Sequence, residues 1–521
     1  MAQHYALGRT PKHAAQGAGL GFPRDRSSFC RAIVLVLGCV VGLLRFAAPS
    51  RAQAPDAAPA QSPPSTPVPS PPSTPAQSLV PTPAQSRGNW VVEQIGDHNA
   101  GMSPARRADK YALMGDSVMS FYRATNYLFW ADHATSPQLN TFGGVKETRV
   151  WLHGDCHVEN IGAISNSLGD VVYDLDDFDD GVIGDYQLDL WRLATSLVLL
   201  LRENSGFSPS DEENLLNALS SSYLTTLTNY RDTNAEKSRT FTAANTPTLL
   251  SDFLTETTRK SNRLRMLEKL TSKANGRRVF DFYHPDILPV PAPVATSIVS
   301  ALPDYVATLA PRLHASAAYF RVKSVAQRLR GGMGSLGVAR YYVLIEGPTA
   351  SEDDDHILDL KAQGAPSPWP YIDLSVRNQI LAACNGNHAL RTVLAARAMG
   401  YRPDEHMGAV TLFGTRFSVR ERTPARGAID VRELSTPTRV SKLAEVWGAV
   451  LATAHARSDQ DFNSTLIPFN FEAEALRRVS DQQELFRARV RQVALSYANQ
   501  VAADHAAFSR TLLHRQTASR E

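Results

Sequence analysis

The chain has 521 residues, room for one large or two ordinary domains, and at 43% hydrophobic and 20% charged it has the make-up of a soluble globular protein. A formal net charge of +3 is small for this length; it gives no argument for nucleic-acid binding, and nothing in the composition suggests an acidic partner.

The first 54 residues predict a secretory signal peptide. Arg24, Arg26 and Arg31 precede an apolar run over 32–44, and Ala52-Gln53-Ala54 supplies a small-x-small cleavage site. The run is shorter than the ~20 residues that a spanning helix needs. Arg45 ends it early, which favours cleavage after Ala54; an uncleaved segment would instead hold the protein at the membrane. Residues 55–88 are rich in Pro, Ala, Ser and Thr, with almost nothing large and apolar to bury. Such a stretch cannot offset its ordering entropy and reads as an extended tether. Signal and tether together place the folded part outside the cytoplasm, with a bacterial periplasm as the expected compartment. Cys30 and Cys39 fall in the signal segment. Cys156 and Cys384 remain, and their spacing suggests neither a disulfide framework nor a zinc site.

From Asn89 onward helical and extended patterns segregate. Residues 188–201 (LDLWRLATSLVLLL) predict a buried helix, and 443–456 and 485–512 amphipathic ones. Residues 149–152 and 170–173 predict short strands. A denser set of strand signals lies at 339–345, 356–361, 409–413 and 416–420, separated by turn signals such as Glu346-Gly347-Pro348. A strand-rich region flanked by helix-rich sequence is an α+β pattern. The expected divisions are a helical part over 89–320, a strand-rich part over 321–432 and returning helices over 433–521.

The densest chemistry lies in WLHGDCHVEN (151–160) and VVYDLDDFDD (171–180). A strand leads into His153-Gly154-Asp155, Asn160 follows five residues after Asp155, and a second strand leads into Asp177-Phe178-Asp179. Phosphoryl transfer to an alcohol needs a carboxylate to orient and deprotonate the hydroxyl, and oxygen ligands for the magnesium that neutralises the phosphates. Asp155 suits the first role; Asn160, Asp177 and Asp179 suit the second. The Asp-to-Asn spacing matches a kinase catalytic loop, and Asp177-Phe178-Asp179 stands where that fold has Asp-Phe-Gly. The competing reading is an acidic calcium loop, but the mid-loop Gly and closing Glu of such loops are missing. Asp189 near the start of the 188–201 helix reads equally well as a helix cap.

A second cluster is RLRGGMGSLGVARYYVLIEG (328–347), followed by HILDLKAQ (356–363). Gly332, Gly334, Ser335 and Gly337 stand between two extended segments, and glycines let backbone N–H groups close on phosphates. A dinucleotide-binding reading fails because a strand, not a helix, follows. Lys361 lies in an apolar strand one hairpin later. Facing inward it could reach phosphates as a point charge; facing outward it would be a surface lysine.

With these residues the chain resembles the bacterial domain-of-unknown-function 2252 family and, more distantly, aminoglycoside and choline phosphotransferases and protein kinases. The resemblance rests on Phe121-Tyr122-Arg123, His153-Gly154-Asp155 with His157 and Asn160, Asp174 through Asp179, and Asp189-Leu190-Trp191-Arg192-Leu193. It continues in Gly334-Ser335-Leu336-Gly337, Leu358-Asp359-Leu360-Lys361, Arg420-Glu421 and Ala454-His455-Ala456-Arg457, and covers about residues 103–512. It implies a two-lobed, protein-kinase-like α+β fold in circularly permuted order, with the catalytic loop before the glycine-rich loop. Permutation is physically cheap where the old termini lie close together. It further implies ATP and Mg²⁺ as cofactors and phosphoryl transfer to a hydroxyl of an unidentified small molecule or protein. Asp155 would be the base with His153 beside it. Asn160, Asp177 and Asp179 would hold metal, and Lys361 and the glycine segment phosphate. His157, Asp174 and Asp189 would support them from behind, Asp189 as a brace on the catalytic loop.

One departure stands out. Kinases pair the strand lysine with a Glu on the next helix, yet 375–403 holds no acidic residue, and Leu394 occupies the expected place. Glu405 could substitute, Lys361 could pair with Asp177 directly, or activity could be lost. Nucleotidyl transfer on the same scaffold is therefore one rival reading. A pseudokinase, an exported nucleotide-binding or scaffolding module, is another.

Overall fold

The computed structural model describes residues 86–204, 206–315, 318–329, 337–430, 434 and 436–518, all within one compact unit, Pro71–Glu521. The expected signal segment, nearly all of the expected tether, and Gly332, Gly334 and Ser335 lie outside the described residues. The tether ends earlier than its composition suggests. Arg87 and Gly88 already belong to the first helix, because Arg87 is drawn into the body by ion pairs to Asp132 (2.6 Å) and Asp504 (2.8 Å).

The helices are α1 (Arg87–His98), α2 (Pro104–Asp116), α3 (Val118–Ala124), α4 (Asn126–His133), α5 (Gln187–Glu203), α6 (Pro209–Tyr230), α7 (Thr248–Lys260), α8 (Arg263–Leu270), α9 (Ala292–Val306), α10 (Leu374–Ala383), α11 (His388–Met399), α12 (Pro437–Arg457), α13 (Gln460–Asn463), α14 (Phe471–Val479) and α15 (Gln483–Ala518). The strands are β1 (Arg149–Leu152), β2 (Ile161–Ser165), β3 (Val171–Leu175), β4 (Val182–Asp185), β5 (Thr271–Ala274), β6 (Arg277–Phe280), β7 (Ile287–Pro289), β8 (Val322–Arg328), β9 (Arg340–Ile345), β10 (His356–Gln363), β11 (Gly408–Leu412), β12 (Thr415–Glu421) and β13 (Arg426–Gly427). The fold is α+β.

Six strands form one antiparallel sheet in the order β11-β12-β10-β9-β8-β7. Side chains alternate between its faces, and the two faces differ sharply. Val343 and Ile345, Leu358 and Leu360, and Phe417 and Val419 point to one side, where Ile298, Leu302 and Tyr305 of α9 cover them. The other face carries Arg340 and Tyr342 on β9, Asp359 and Lys361 on β10, and Ser418 and Arg420 on β12. The cross-strand register sets Lys361 between Arg340 and Ser418. Toward β8, part of this second face is closed by Met266 and Leu267 of α8 and Phe280 of β6.

Helices α5, α6, α12 and α15 build the main core, with Trp151, Trp191 and Trp447 fully buried in it. α12 is buried nearly all round rather than amphipathic, and Gly448 is the reason it can lie so close to α6. A Cβ at 448 would collide with the carbonyl oxygen of Leu219 and come within 3.1 Å of the Tyr223 nitrogen. Residues before 321 contribute to the strand-rich body, since β7 is an edge strand of its sheet and α8, β6 and α9 pack on that sheet. Composition locates strands, but helices that cover a sheet read no differently from helices that cover each other.

Gly448→Ala should overpack the α6–α12 contact and lower stability by about 1–3 kcal/mol. Denaturant unfolding should show a lower midpoint at an unchanged slope.

Candidate active site

β1 delivers the chain into His153-Gly154-Asp155-Cys156-His157 and a single 3-10 turn, Val158–Asn160, before β2 begins. The β2–β3 hairpin returns it to residues 176–181. From there β4 pairs back on β1, with Leu152 opposite Val182. These two pairings clamp the loops 153–160 and 176–181 side by side. His153 Nε2 donates to the Asp176 carbonyl (2.8 Å), and its Nδ1 accepts from the Asp155 amide (3.3 Å), which fixes the neutral tautomer. The Asp176 amide donates to the Asn160 carbonyl (2.9 Å). Gly154 is required at the crossing: its φ is +79°, and a Cβ there would strike the Asp180 carbonyl.

Helix α5 holds the first loop from beneath. The Asp189 carboxylate accepts from the amides of His153 (2.6 Å) and Gly154 (3.0 Å). It does not cap its own helix, whose first residue is preceded by Tyr186 with no side-chain bond to the free amides. One turn along, Arg192 donates to Asp155 Oδ1 through Nε (2.8 Å) and Nη2, with its guanidinium stacked on Tyr122 (4.2 Å). Asp155 Oδ2 is left toward His157 Nε2, 3.8 Å away. Burial pushes the Asp155 carboxyl up to about 6, against the pull of Arg192 and with help from Asp180. Burial and two neighbouring arginines keep His157 neutral. Asn160 donates from Nδ2 to the Asp155 carbonyl (3.1 Å).

The second loop meets the sheet. Asp177 has φ +66°, a left-handed backbone that a non-glycine residue adopts only when its surroundings enforce it. Lys361 Nζ donates to Asp177 Oδ1 (3.1 Å) and also contacts Asp179 Oδ2, although the lysine is 184 positions away in sequence. Although burial opposes it, Lys361 together with Arg420 holds Asp177 well below the ordinary carboxylate range. Burial and the adjacent Asp177 charge raise Asp179, which also accepts from Gln363 Nε2 (2.6 Å). Asp176 is taken by Arg420 (2.7 Å) and Arg426 (2.6 Å). Helix α11 supplies no acid to Lys361. Instead Arg391 donates to the carbonyls of Gly181 (2.5 Å) and Asp179 (2.6 Å). Glu405 is paired with Arg312 (2.9 Å), so the direct pairing of Lys361 with the 177–179 loop is the arrangement present.

Asp155, Asp177, Asp179 and Asp180 line one cavity of about 120 Å³. Lys110 and Arg123 enter it from α2 and α3, and burial lowers the Lys110 ammonium to about 8. Asp180 is held by the Asn126 amide (2.8 Å) and the Ser367 backbone N–H (2.7 Å). Four carboxylates face this small space, and two of them converge on the Lys361 ammonium.

Two expected residues stand elsewhere. Asp174 faces away, accepting from the backbone amides of Leu175 (2.9 Å) and Tyr401 (3.2 Å) near Arg457. Gly337 is exposed with φ +91°, and its carbonyl accepts from Arg106 (3.3 Å). It lines neither the cavity of Asp155 nor that of Lys361. Lys110 and Arg391 carry no motif that sequence reading could have used, and Asp180, although it closes the 171–180 motif, was given no role there. Arg192 and Arg420 do stand in the motifs first noted, and a buried motif arginine among many aspartates was the available signal.

The site thus defines a class: an α+β protein with an acidic loop pair and a strand lysine meeting at one cleft. The chain belongs to a bacterial family described as "Uncharacterized protein conserved in bacteria (DUF2252)", whose model matches residues 103–511. No curated protein and no solved structure matches it.

Lys361→Met would leave Asp177 and Asp179 without the ammonium that both contact, with only the more distant Arg420 acting on Asp177. Discounted for their partial exposure, the loss should be about 1–3 kcal/mol at pH 7. It should shrink toward pH 4, as the raised Asp179 takes up a proton and removes the repulsion. Thermal unfolding of both proteins across this range measures the difference.

Proposed function

We propose that the protein is a phosphotransferase of kinase-like, circularly permuted build, moving a phosphoryl group from a magnesium-bound phosphate donor to a hydroxyl. ATP is the donor that the sequence resemblance implies. The observation that carries the reading is the meeting of Lys361 with Asp177, 184 positions earlier, and with Asp179, next to the loop that holds Asp155 and Asn160. Strand order supports it as well. From β8 the chain runs through the glycine-rich connection to β9, the lysine strand β10, helices α10 and α11, then β11 and β12, with β12 beside β10. Kinases use the same succession of glycine loop, strand lysine and following helix.

Magnesium at the aspartate cluster would neutralise charge on the phosphates; Asp177, Asp179 and Asn160 are the residues that would hold it. Asp155 Oδ2 orients the acceptor hydroxyl and takes its proton, while Arg192 fixes Oδ1 so that only one oxygen turns to the substrate. Lys361 sits on the sheet side of the same space and can balance the donor phosphates. Kinases place a Glu on the following helix; here the Asp177–Asp179 pair supplies the lysine's counter-charge, and Arg391 anchors the loop from α11. A pseudokinase would need none of Asp155, Asn160 and Asp177 together. An exported location remains part of the proposal, resting on the features of residues 1–88.

Incubation with donor labelled at the γ or the α phosphate, against envelope extracts, distinguishes phosphoryl from nucleotidyl transfer, and binding without labelling identifies a pseudokinase. Asp155→Asn keeps the shape and removes the proton acceptor, so turnover should fall roughly 10²–10⁴-fold. Asp177→Asn should weaken magnesium-dependent binding instead. Full activity in both variants would remove these residues from the chemistry. Asp155 works as a carboxylate, and its pKa lies near 6. The rate should therefore fall about tenfold per pH unit below that point and level off above it.

A further inference from the structure

The sheet face that carries Lys361 is charged across its width. Asp359 stands two residues before the lysine on the same face, buried and held by Arg340 (2.7 Å) and Arg328 (3.0 Å). Beyond this face opens a cavity of about 350 Å³. Arg328, Arg420, Arg422 and Arg426 form its sheet-side wall. Lys260, Arg265 and Lys269, from α7 and α8, form the other, and Asp359 is the one carboxylate among its described lining residues. Among the described residues, some of these cations donate to neutral partners. Arg422 Nε donates to the Tyr342 hydroxyl (3.2 Å), and Arg265 Nη1 donates to the carbonyls of Arg259 (2.9 Å) and Lys260 (3.0 Å). Burial, together with the nearby Arg340 and Arg422, lowers the Arg328 pKa. The walls hold more positive charge than they neutralise.

A purine is held between flat apolar surfaces, and pockets for such ligands are mostly apolar. Here the strand position beside the lysine is an aspartate locked between arginines. A run of phosphates asks for the opposite lining, an array of guanidinium and ammonium groups. The cavity shares Asp359 and Arg420 with the smaller one that holds Asp177 and Lys361. An anion lying along the arginines would therefore end at the lysine.

We propose that this cavity seats a chain of condensed phosphates, and that the donor is inorganic, pyrophosphate or a longer polyphosphate, rather than a nucleotide. This rests on the phosphotransferase reading above. In the reaction the acceptor oxygen bonds to the terminal phosphorus as the bridging P–O bond to the next phosphate breaks. The hydroxyl proton passes to the Asp155 carboxylate, and the electron pair of the broken bond stays with the shortened phosphate chain.

Calorimetric titration of the full chain with magnesium and tripolyphosphate, ATP or ADP tests the assignment, alongside label transfer from polyphosphate and from ATP to envelope extracts. Tripolyphosphate should bind at least as tightly as ATP, and polyphosphate should label an acceptor. The double variant R265E/K269E alters two exposed positions on α8 and should keep the native circular dichroism while weakening tripolyphosphate tenfold or more. If that affinity is unchanged, the anion does not sit in this cavity and the assignment is overturned. ATP binding ten times tighter, with label passing from ATP alone, overturns the inorganic donor and leaves phosphotransfer standing. Tripolyphosphate binding with no transfer from either donor overturns the donor role and the phosphotransferase reading together.

Discussion

Asp155, Asp174, Asp176, Asp177, Asp179 and Asp180 come from a stretch of 26 residues, and folding brings most of them to one place. Like charges gathered in a low-dielectric interior repel strongly unless each meets a counter-charge or a donor. Each meets its partner from a different part of the chain. Arg192 comes from α5, Lys361 from β10, Arg420 from β12 and Arg426 from β13, and the Tyr401 and Ser367 amides come from connections beside α11 and β10. The loop pair therefore cannot reach this arrangement until the six-stranded sheet has docked on it. Docking of the sheet supplies the cations that complete the site.

The same electrostatics explain why the sheet has two unlike faces. Its back is an ordinary apolar surface covered by α9, worth roughly 25 cal/mol per Å² of apolar area removed from water. Its front carries Arg340, Asp359, Lys361 and Arg420 where the acidic loops need cations, and turns apolar toward β8, under α8 and β6. Strand alternation alone makes this possible: Leu358 and Leu360 anchor β10 in the core, while Asp359 and Lys361 are presented to the cleft. A shift of one residue in register would bury the lysine against α9 and expose the leucines.

Much of this was legible beforehand. The 188–201 helix, the strands at 149–152 and 356–361, and the two aspartate motifs are local patterns, and local patterns read directly. Cys156 and Cys384 are buried free thiols, as their spacing suggests. Asp189 was ambiguous because capping and bracing demand the same residue at the same position. Only the partner, an amide from a loop 35 residues earlier, decides between them. For a similar reason, α8 and α9 carry nothing in their own sequence to say which surface they cover.

What the sequence determined by itself was which segments form helices or strands and which residues carry usable chemistry, because both follow from short-range periodicity and side-chain type. What the tertiary structure decided was pairing. It gave Lys361 to Asp177 and Asp179 instead of to an acid on α11, turned Asp174 away, and brought Lys110 and Arg391, which stand in no motif, to the aspartate loops. Such choices depend on which buried charges can be neutralised together. That is a property of contacts between distant segments, and a linear pattern does not contain it.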